Sequence, residues 1–271
     1  YLDEKGPGDI IEYPQSEEKD HWLPTGDIFE RSEDGYYSII DRVKDIYKNV
    51  KGQTVAPRNV ESKFHDVPGI KRTFLVGDGR EYNILFIVPD HEDTVLKAAK
   101  TADNVREYFQ QIVSAANKGL APYERVVNFT LLDRDLSIEK GELTPKGSFN
   151  RKKIEENFSS LIQDLYKRNE TILEYDSMKL IFPRWFFRDL GILEDEIKTT
   201  KGGLINTKTE EFLPLKRTDK ENAIIGDLEY ITGSDTIDMG LFARQPYLWA
   251  ANPSLIRFCP CREGWDSSLK D

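Results

Sequence analysis

The sequence predicts an α+β protein in three parts: the end of a β-rich subdomain over residues 1–41, a small α+β domain over 42–168, and an extension over 169–271. Three observations carry this. Short strand-like pieces separated by turn residues fill the first part. Apolar β-type runs at 73–77, 83–88 and 126–132 alternate with stretches of helical spacing in the second. Beyond Arg168, aromatic residues gather beside prolines, at 182–187 and 246–249, and no internal repeat appears.

Taken in order, Gly6-Pro7-Gly8 punctuates the opening, residues 9–13 alternate weakly, and 14–20 read as polar loop before Trp22 and Leu23. Residues 28–30 and 36–40 flank Ser32-Glu33-Asp34-Gly35, whose Asp-Gly pair signals a hairpin. This first part is too small to bury a core alone and must pack on something else. Residues 45–50 read as a strand, and Pro57 opens a helix running toward Phe64, since proline suits the first helical turn. Helical spacing covers 92–102 and 104–119, with Gly119 as the stop of the second. A last amphipathic helix is expected over 150–166, where Ile154, Phe158, Leu161, Ile162 and Leu165 fall on one face. Residues 198–209 are polar and contain glycine, so a loop is expected there.

Composition narrows the function. The chain has 271 residues, 38% hydrophobic and 32% charged, enough for real cores. No apolar run approaches the roughly 20 residues that span a bilayer, so no transmembrane segment is expected. The net charge of −10 is uneven: −9 over residues 1–41, +4 over 42–168 and −5 over 169–271. A +4 middle is too mild for nucleic acid, which needs a clustered basic face. Cys259 and Cys261 cannot make a disulfide framework, so a reducing, cytoplasmic setting is expected. The three histidines have no metal-ligand spacing with them, and the cysteines read as free thiols.

The chemistry concentrates between Thr25 and Pro57. Thr25-Gly26-Asp27 is a turn that presents one carboxylate, which could accept both hydroxyls of a ribose. Asp41-Arg42 follows an apolar strand, and a guanidinium offers a rigid fork of donors for ribose and phosphate oxygens. Gly52-Gln53-Thr54-Val55-Ala56-Pro57 is a glycine-containing loop leading into a helix. Further on, Gly141-Glu142-Leu143-Thr144-Pro145-Lys146-Gly147-Ser148 precedes a basic helix start.

In order and content, residues 20–168 resemble the junction and C-terminal domain of AMP-forming acyl-CoA synthetases, within the adenylate-forming superfamily. The resemblance implies a lid domain over 42–168 that swings on a missing large N-terminal AMP-binding domain. It implies that Asp27 and Arg42 bind the nucleotide, that Asp41 is the hinge, and that Gly52 and Gln53 line the path of CoA. It implies a catalytic lysine near the end of the lid, for which Lys146 is the candidate. Two departures stand out: Lys51-Gly52 occupies the place of a common Gly-Gly pair, and Ser148 falls where the family's lysine belongs. The implied substrates are ATP with Mg²⁺, CoA and a small-molecule carboxylic acid, expected to be a fatty acid. Without the large domain the chain is expected to be inactive alone. Two alternatives stay open: a ligase that stops at the acyl-adenylate or loads an acyl-carrier protein, and a non-catalytic lid-like interaction module. For residues 169–271 no family resemblance was found. Their aromatics Trp185, Phe186, Phe187, Tyr247 and Trp249 either pack within the chain or mark a protein contact.

Overall fold

The computed structural model describes residues 25–99, 101–167 and 170–259. The strands and loop expected between residues 6 and 23, and Cys261, lie outside the described residues. The architecture is α+β.

The chain enters as a hairpin of β1 (Asp27–Arg31) and β2 (Tyr37–Arg42), paired antiparallel with Asp27 opposite Arg42. Its turn is the expected one: the Gly35 N–H donates to the Ser32 carbonyl at 2.9 Å, and Gly35 takes a positive φ of 86°. The strand expected over 45–50 shrinks to β3 (Tyr47–Lys48), which pairs with β4 (Thr54–Val55). Then follow α1 (Pro57–Glu61) with proline in its first turn and a tight helical turn over Ser62–Phe64.

The middle part, which the resemblance makes a lid, is built on β5 (Ile70–Val76), β6 (Asn83–Pro89) and β7 (Val126–Leu131), in the order β5-β6-β7. The first pair is antiparallel; the second is parallel, so the chain must cross over. That crossover holds α2 (Thr94–Ala98), shorter than the periodicity suggested, and α3 (Ala102–Asn117), of the expected length but begun two residues earlier. Asp93 and Thr101 cap them, accepting from the Val95 and Asn104 amides. The central strand β6 is buried along its whole length because both faces are covered. Leu75, Leu85, Ile87 and Phe129 pack toward α1 and α3, whereas Phe74, Val76, Phe86 and Val88 pack toward the last helices of the lid. Strand alternation assigns neighbouring residues to opposite faces.

The single helix expected over 150–166 is two: α4 (Arg151–Asn157) and α5 (Ser159–Lys167). The break is at Phe158, whose φ of −103° and ψ of 16° leave the helical region. Its ring is held edge-on to Phe86 at 5.6 Å with the Arg134 guanidinium over it at 4.6 Å. Core packing thus bends a helix that the apolar spacing alone leaves straight.

The extension opens with β8 (Glu170–Tyr175), β9 (Met178–Pro183) and α6 (Arg184–Leu190), which Gly191 ends in a left-handed conformation. The segment expected to be a loop at 198–209 is instead the hairpin β10 (Ile197–Thr200) and β11 (Gly203–Asn206). The sequence misleads because β10 is an edge strand whose Lys198, Thr199 and Thr200 are exposed. Gly203 is required for packing: a Cβ there would lie 2.0 Å from the Leu213 carbonyl oxygen. The sheet continues as a meander through β12 (Phe212–Arg217), β13 (Asn222–Ile225) and β14 (Leu228–Ile231). Then β15 (Thr236–Asp238) lies parallel beside β9, and α7 (Met239–Arg244), α8 (Pro246–Trp249) and α9 (Pro253–Phe258) close the described chain.

Lid and extension share one core. Tyr82, Ile84 and Val127 of the lid pack in the same apolar cluster as Phe182, Phe186, Phe187, Leu213 and Phe258. Of the five aromatics singled out in the sequence, Phe186 and Phe187 are buried, Trp185 and Trp249 are half-buried, and Tyr247 is 76% exposed. Phe187→Ala is therefore expected to lower unfolding free energy by about 3–5 kcal/mol, measured by denaturant titration. A loss under about 1 kcal/mol would show that Phe187 contributes little to the shared core.

Candidate functional site

Asp27 and Arg42 sit opposite each other across the β1–β2 ladder, which places the Arg42 Nε 3.6 Å from the Asp27 carboxylate. Arg42 is half-exposed and Asp27 a quarter exposed at the side chain, so the pair faces solvent with donors and acceptors free for a ligand. As a solvated ion pair it contributes little stability.

Asp41 is different: it is only 2% exposed. One carboxylate oxygen accepts from the Arg42 amide at 2.8 Å and the other from the Arg58 amide at 2.8 Å. Arg58 lies in the first turn of α1, where backbone amides lack partners within the helix. The residue expected at the hinge therefore ties the end of the hairpin to the first helix of the lid.

Gly52 and Gln53 lie at the exposed tip of the β3–β4 turn. Gly52 has a φ of 77°, and a Cβ there would meet nothing within 4 Å. Its glycine serves backbone conformation; within this chain no atom crowds it. The turn is organised by Asn49, which sequence reasoning missed. Its side-chain oxygen accepts from the Lys51 and Gln53 amides, both at 3.0 Å, and its amide donates to Gln53 Oε1 at 2.9 Å. The signal was available in an Asn two residues before a Lys-Gly pair, a local turn former.

Lys146 is exposed at the apex of a short hairpin in which Leu143 bridges Phe149. The Thr144 amide donates to the Ser148 carbonyl at 2.8 Å, the Gly147 amide to the Thr144 carbonyl at 2.8 Å, and Gly147 has a φ of 78°. The backbone of Ser148 closes this turn, and Lys146 occupies its tip. Among the described residues no hydrogen bond or ion pair joins Lys146 to Asp27, Arg42 or the Gly52 loop.

The fully buried Glu142 braces the Lys146 turn and the nearly buried Glu61 ties α1 to α4; neither was singled out in the sequence. Glu142 is fully buried and takes a two-pronged grip from Arg134, at 2.6 and 2.8 Å. It also accepts from the Asn157 side chain at 3.0 Å and the Ser137 amide at 3.0 Å. The Arg134 hydrogen bonds, helped by Asn157 and Ser137, hold its carboxyl down at about 2 against an ordinary 4.5. Glu61, at the end of α1, accepts from the Leu75 amide at 2.8 Å and from Arg151 at 2.6 Å. Burial pushes the Glu61 carboxyl up, opposed by Arg151. Arg151 in turn stacks over Phe74 at 4.9 Å. The readable signal was acid and arginine amid apolar runs, where unpaired charge is costly.

A cleft of about 910 Å³ lies elsewhere, between α3 and the extension. It carries Arg106, Lys118 and Lys208 against Glu107, Asp195 and Glu196. Arg106 is paired to Asp195 at 2.7 Å, and Lys208 donates to the Gly191 carbonyl at 2.6 Å, while burial pushes its amine down. This mixed-sign seam ties lid to extension. Among the described residues no group of three or more His, Cys, Asp or Glu could hold a metal ion. No helix there is long and apolar enough to cross a membrane.

Comparison with known proteins follows the same lines. The AMP-binding enzyme C-terminal domain family matches residues 44–170. Long-chain-fatty-acid–CoA ligase 1 of Homo sapiens is 31% identical over 163 residues, covering 55% of this chain and 23% of that protein. Long-chain-fatty-acid–CoA ligase 5 of Rattus norvegicus is 30% identical over 169 residues, covering 56% and 24%. Among solved structures, the adenylation domain of a carboxylate reductase from Mycobacterium chelonae is 25% identical, covers 53% of this chain and 23% of that one, and has a TM-score of 0.47. Residues 44–170 thus match the AMP-binding enzyme C-terminal domain family. Over that span the chain is similar to long-chain-fatty-acid–CoA ligases. It spans about a quarter of the length of the curated relatives it matches.

Glu142→Gln is expected to destabilise the chain by roughly 2 kcal/mol, because the fully buried carboxylate loses its charged hydrogen bonds to half-buried Arg134. The carboxyl is depressed in the folded state, so its stabilisation is complete above about pH 4.5 and disappears as pH falls toward about 2. The wild-type acid-unfolding curve should show this slope and the variant should lack it; superimposable curves would remove Glu142 from the role.

Proposed function

We propose that this chain is the lid end of an enzyme that activates a carboxylic acid, a fatty acid in the first instance, as acyl-AMP and transfers it to CoA. In this reading residues 1–41 end the large AMP-binding domain, 42–168 form the lid and 169–271 extend it, in a protein acting from the cytoplasm. The match of residues 44–170 to the AMP-binding C-terminal domain is the observation that supports it most. The exposed Phe29, Tyr36, Tyr37 and Ile39 of the first hairpin offer an apolar surface on which the large domain would pack.

The chemistry runs in two halves. First, a substrate carboxylate oxygen attacks the α-phosphorus of ATP and pyrophosphate leaves. Asp27 would accept from the ribose hydroxyls, with Arg42 beside it donating to ribose or phosphate oxygens. Lys146 would approach the reacting centre from the tip of its braced turn and stabilise the charge that develops there. Mg²⁺ would arrive bound to the ATP phosphates. Second, the CoA thiolate attacks the acyl carbonyl and AMP leaves. The lid would turn about Asp41 between the halves, bringing the Gly52–Gln53 turn to the pantetheine path. Rotation there must strain or break the Asp41–Arg58 bond, so that bond would favour one of the two lid positions.

In the full-length enzyme, Lys146→Ala should slow ATP–pyrophosphate exchange by about 10²–10³-fold while thioester formation from supplied acyl-adenylate changes far less. Equal slowing of both halves, or no effect while Lys152→Ala abolishes exchange, would overturn the assignment. Asp27→Ala should raise the KM for ATP by about tenfold or more, read from initial rates; an unchanged KM would remove Asp27 from the nucleotide site.

A further inference from the structure

In the β3–β4 turn a buried amide side chain sets the polarity of an exposed one. Asn49 is 6% exposed, although its neighbours Lys48, Val50 and Lys51 lie at the surface. Five hydrogen bonds join it to residues 51–53. Its Oδ1 accepts from the Lys51 and Gln53 amides, and its Nδ2 donates to Gln53 Oε1. Its backbone closes the turn: the Asn49 amide donates to the Gln53 carbonyl at 3.0 Å, and the Gly52 amide to the Asn49 carbonyl at 2.9 Å.

This network has only one sense. Two backbone N–H groups converge on one atom of the Asn49 side chain, and only its oxygen can accept them. Its nitrogen must then face Gln53, which can meet a donor only with Oε1. The Gln53 Nε2 is left over. It has no acceptor among the described residues, and its side chain is exposed. Gln53 therefore offers a donor of fixed orientation in place of a freely turning amide. Gly52 beside it carries no side chain, and even a Cβ there would meet nothing within 4 Å, so the strip next to the donor is uncrowded.

The turn is fastened to the sheet behind it. The Val50 amide donates to the Arg80 carbonyl at 3.1 Å, and the Gly79 amide to the Lys48 carbonyl at 2.9 Å. The Tyr47 hydroxyl donates to Asn83 Oδ1 at 2.7 Å, and Asn83, 1% exposed, donates to the Tyr123 carbonyl at 3.0 Å. A donor held in this way is ordered before any ligand arrives, so little entropy is lost when it is used.

We propose that Gln53 donates through Nε2 to a carbonyl oxygen of the phosphopantetheine arm that receives the acyl group, and that Asn49 is the positioning residue that fixes this donor. The proposal rests on the reading of the chain as the lid end of an acyl-activating enzyme, in which this turn reaches the pantetheine path. The arm fits because its amide groups present carbonyl acceptors, the partner a primary amide donor requires. CoA and an acyl-carrier protein present the same arm, so the contact serves either acceptor.

The test is thioester formation by the full-length enzyme from supplied acyl-adenylate, with CoA or holo acyl-carrier protein as acceptor. Gln53→Ala removes the donor and should raise the KM for the acceptor by about 3–10-fold, while slowing ATP–pyrophosphate exchange far less. Asn49→Asp keeps an oxygen for the Lys51 and Gln53 amides but cannot donate, so the Gln53 amide turns over and presents Oε1 outward. It should raise the acceptor KM at least as much as Gln53→Ala and keep the wild-type melting temperature, since its carboxylate is satisfied by those amides. In the Gln53→Ala background, Asn49→Asp should add no further rise, because it acts through that side chain. A rise seen with CoA gives the contact to CoA, and one seen with the carrier protein gives it to the carrier. An unchanged acceptor KM in Asn49→Asp, which a role confined to holding the turn predicts, would overturn the proposal and leave the adenylation reading standing. So would an unchanged KM in Gln53→Ala, or additive effects in the double variant. Thioester formation by the wild type with neither acceptor would overturn both.

Discussion

The Arg184 guanidinium is the charge around which lid and extension are arranged. It is 5% exposed, and such a group is tolerated only when its donors find partners. Those partners come from both halves. The Leu165 carbonyl accepts at 3.1 Å and the Tyr82 ring lies 5.6 Å away on the lid side; Glu194 of the extension pairs at 3.1 Å. Glu194 then accepts from Asn128 of β7 at 2.9 Å and from Thr171 of β8 at 3.1 Å. Removing the arginine would strand a carboxylate as well as several acceptors. Two neighbours repeat the device: Arg188 donates to the Glu81 carbonyl at 2.8 Å, and Arg125 to the Asp189 carbonyl at 2.9 Å. The apolar cluster under them supplies the larger share of burial free energy, while the arginines fix which way the two halves meet.

This docking has a mechanical consequence for a lid. A domain that swings must carry its reactive groups as one body, and the described residues are braced to do so. Glu61 joins α1 to β5 and to α4, and Glu142 joins the Lys146 turn to Arg134 and α4. Asp41 sits at the start of that chain of contacts, bonded to α1. If the domain swings as proposed, its motion would be confined to the few residues around Asp41. The extension stiffens the far side of the lid by covering the end of β6 and β7, where Ile84 and Val127 would otherwise meet water.

The sequence determined the elements whose signals are local. The Asp34-Gly35 hairpin, proline at the start of α1, the three apolar strands of the lid and the family likeness of residues 20–168 were all legible. Each rests on neighbours in the chain. The candidate residues Asp27, Arg42 and Lys146 were legible as types in a pattern, but their geometry was not, nor was the fact that Asp41 is buried while Arg42 is exposed. Where tertiary packing overrides local preference the sequence misled. Phe158 breaks a helix that periodicity leaves whole, and the polar residues 198–209 form an edge hairpin because they face solvent on one side of a sheet.

Only the tertiary structure decided what holds the site and what the extension is. The ion-pair partners of Glu142, Glu61 and Arg184 lie from 8 to 90 residues away in the chain, and such a pair leaves no periodic trace in sequence. The burial of Asn252 was hidden for the same reason: it looks like an ordinary polar residue until its hydrogen bonds to the Ile225 carbonyl and the Asp227 amide show that the core has taken it. The chain specifies its own local turns, strands and charges; which of those charges are sealed in and which are offered to a partner is set by contacts made across the fold.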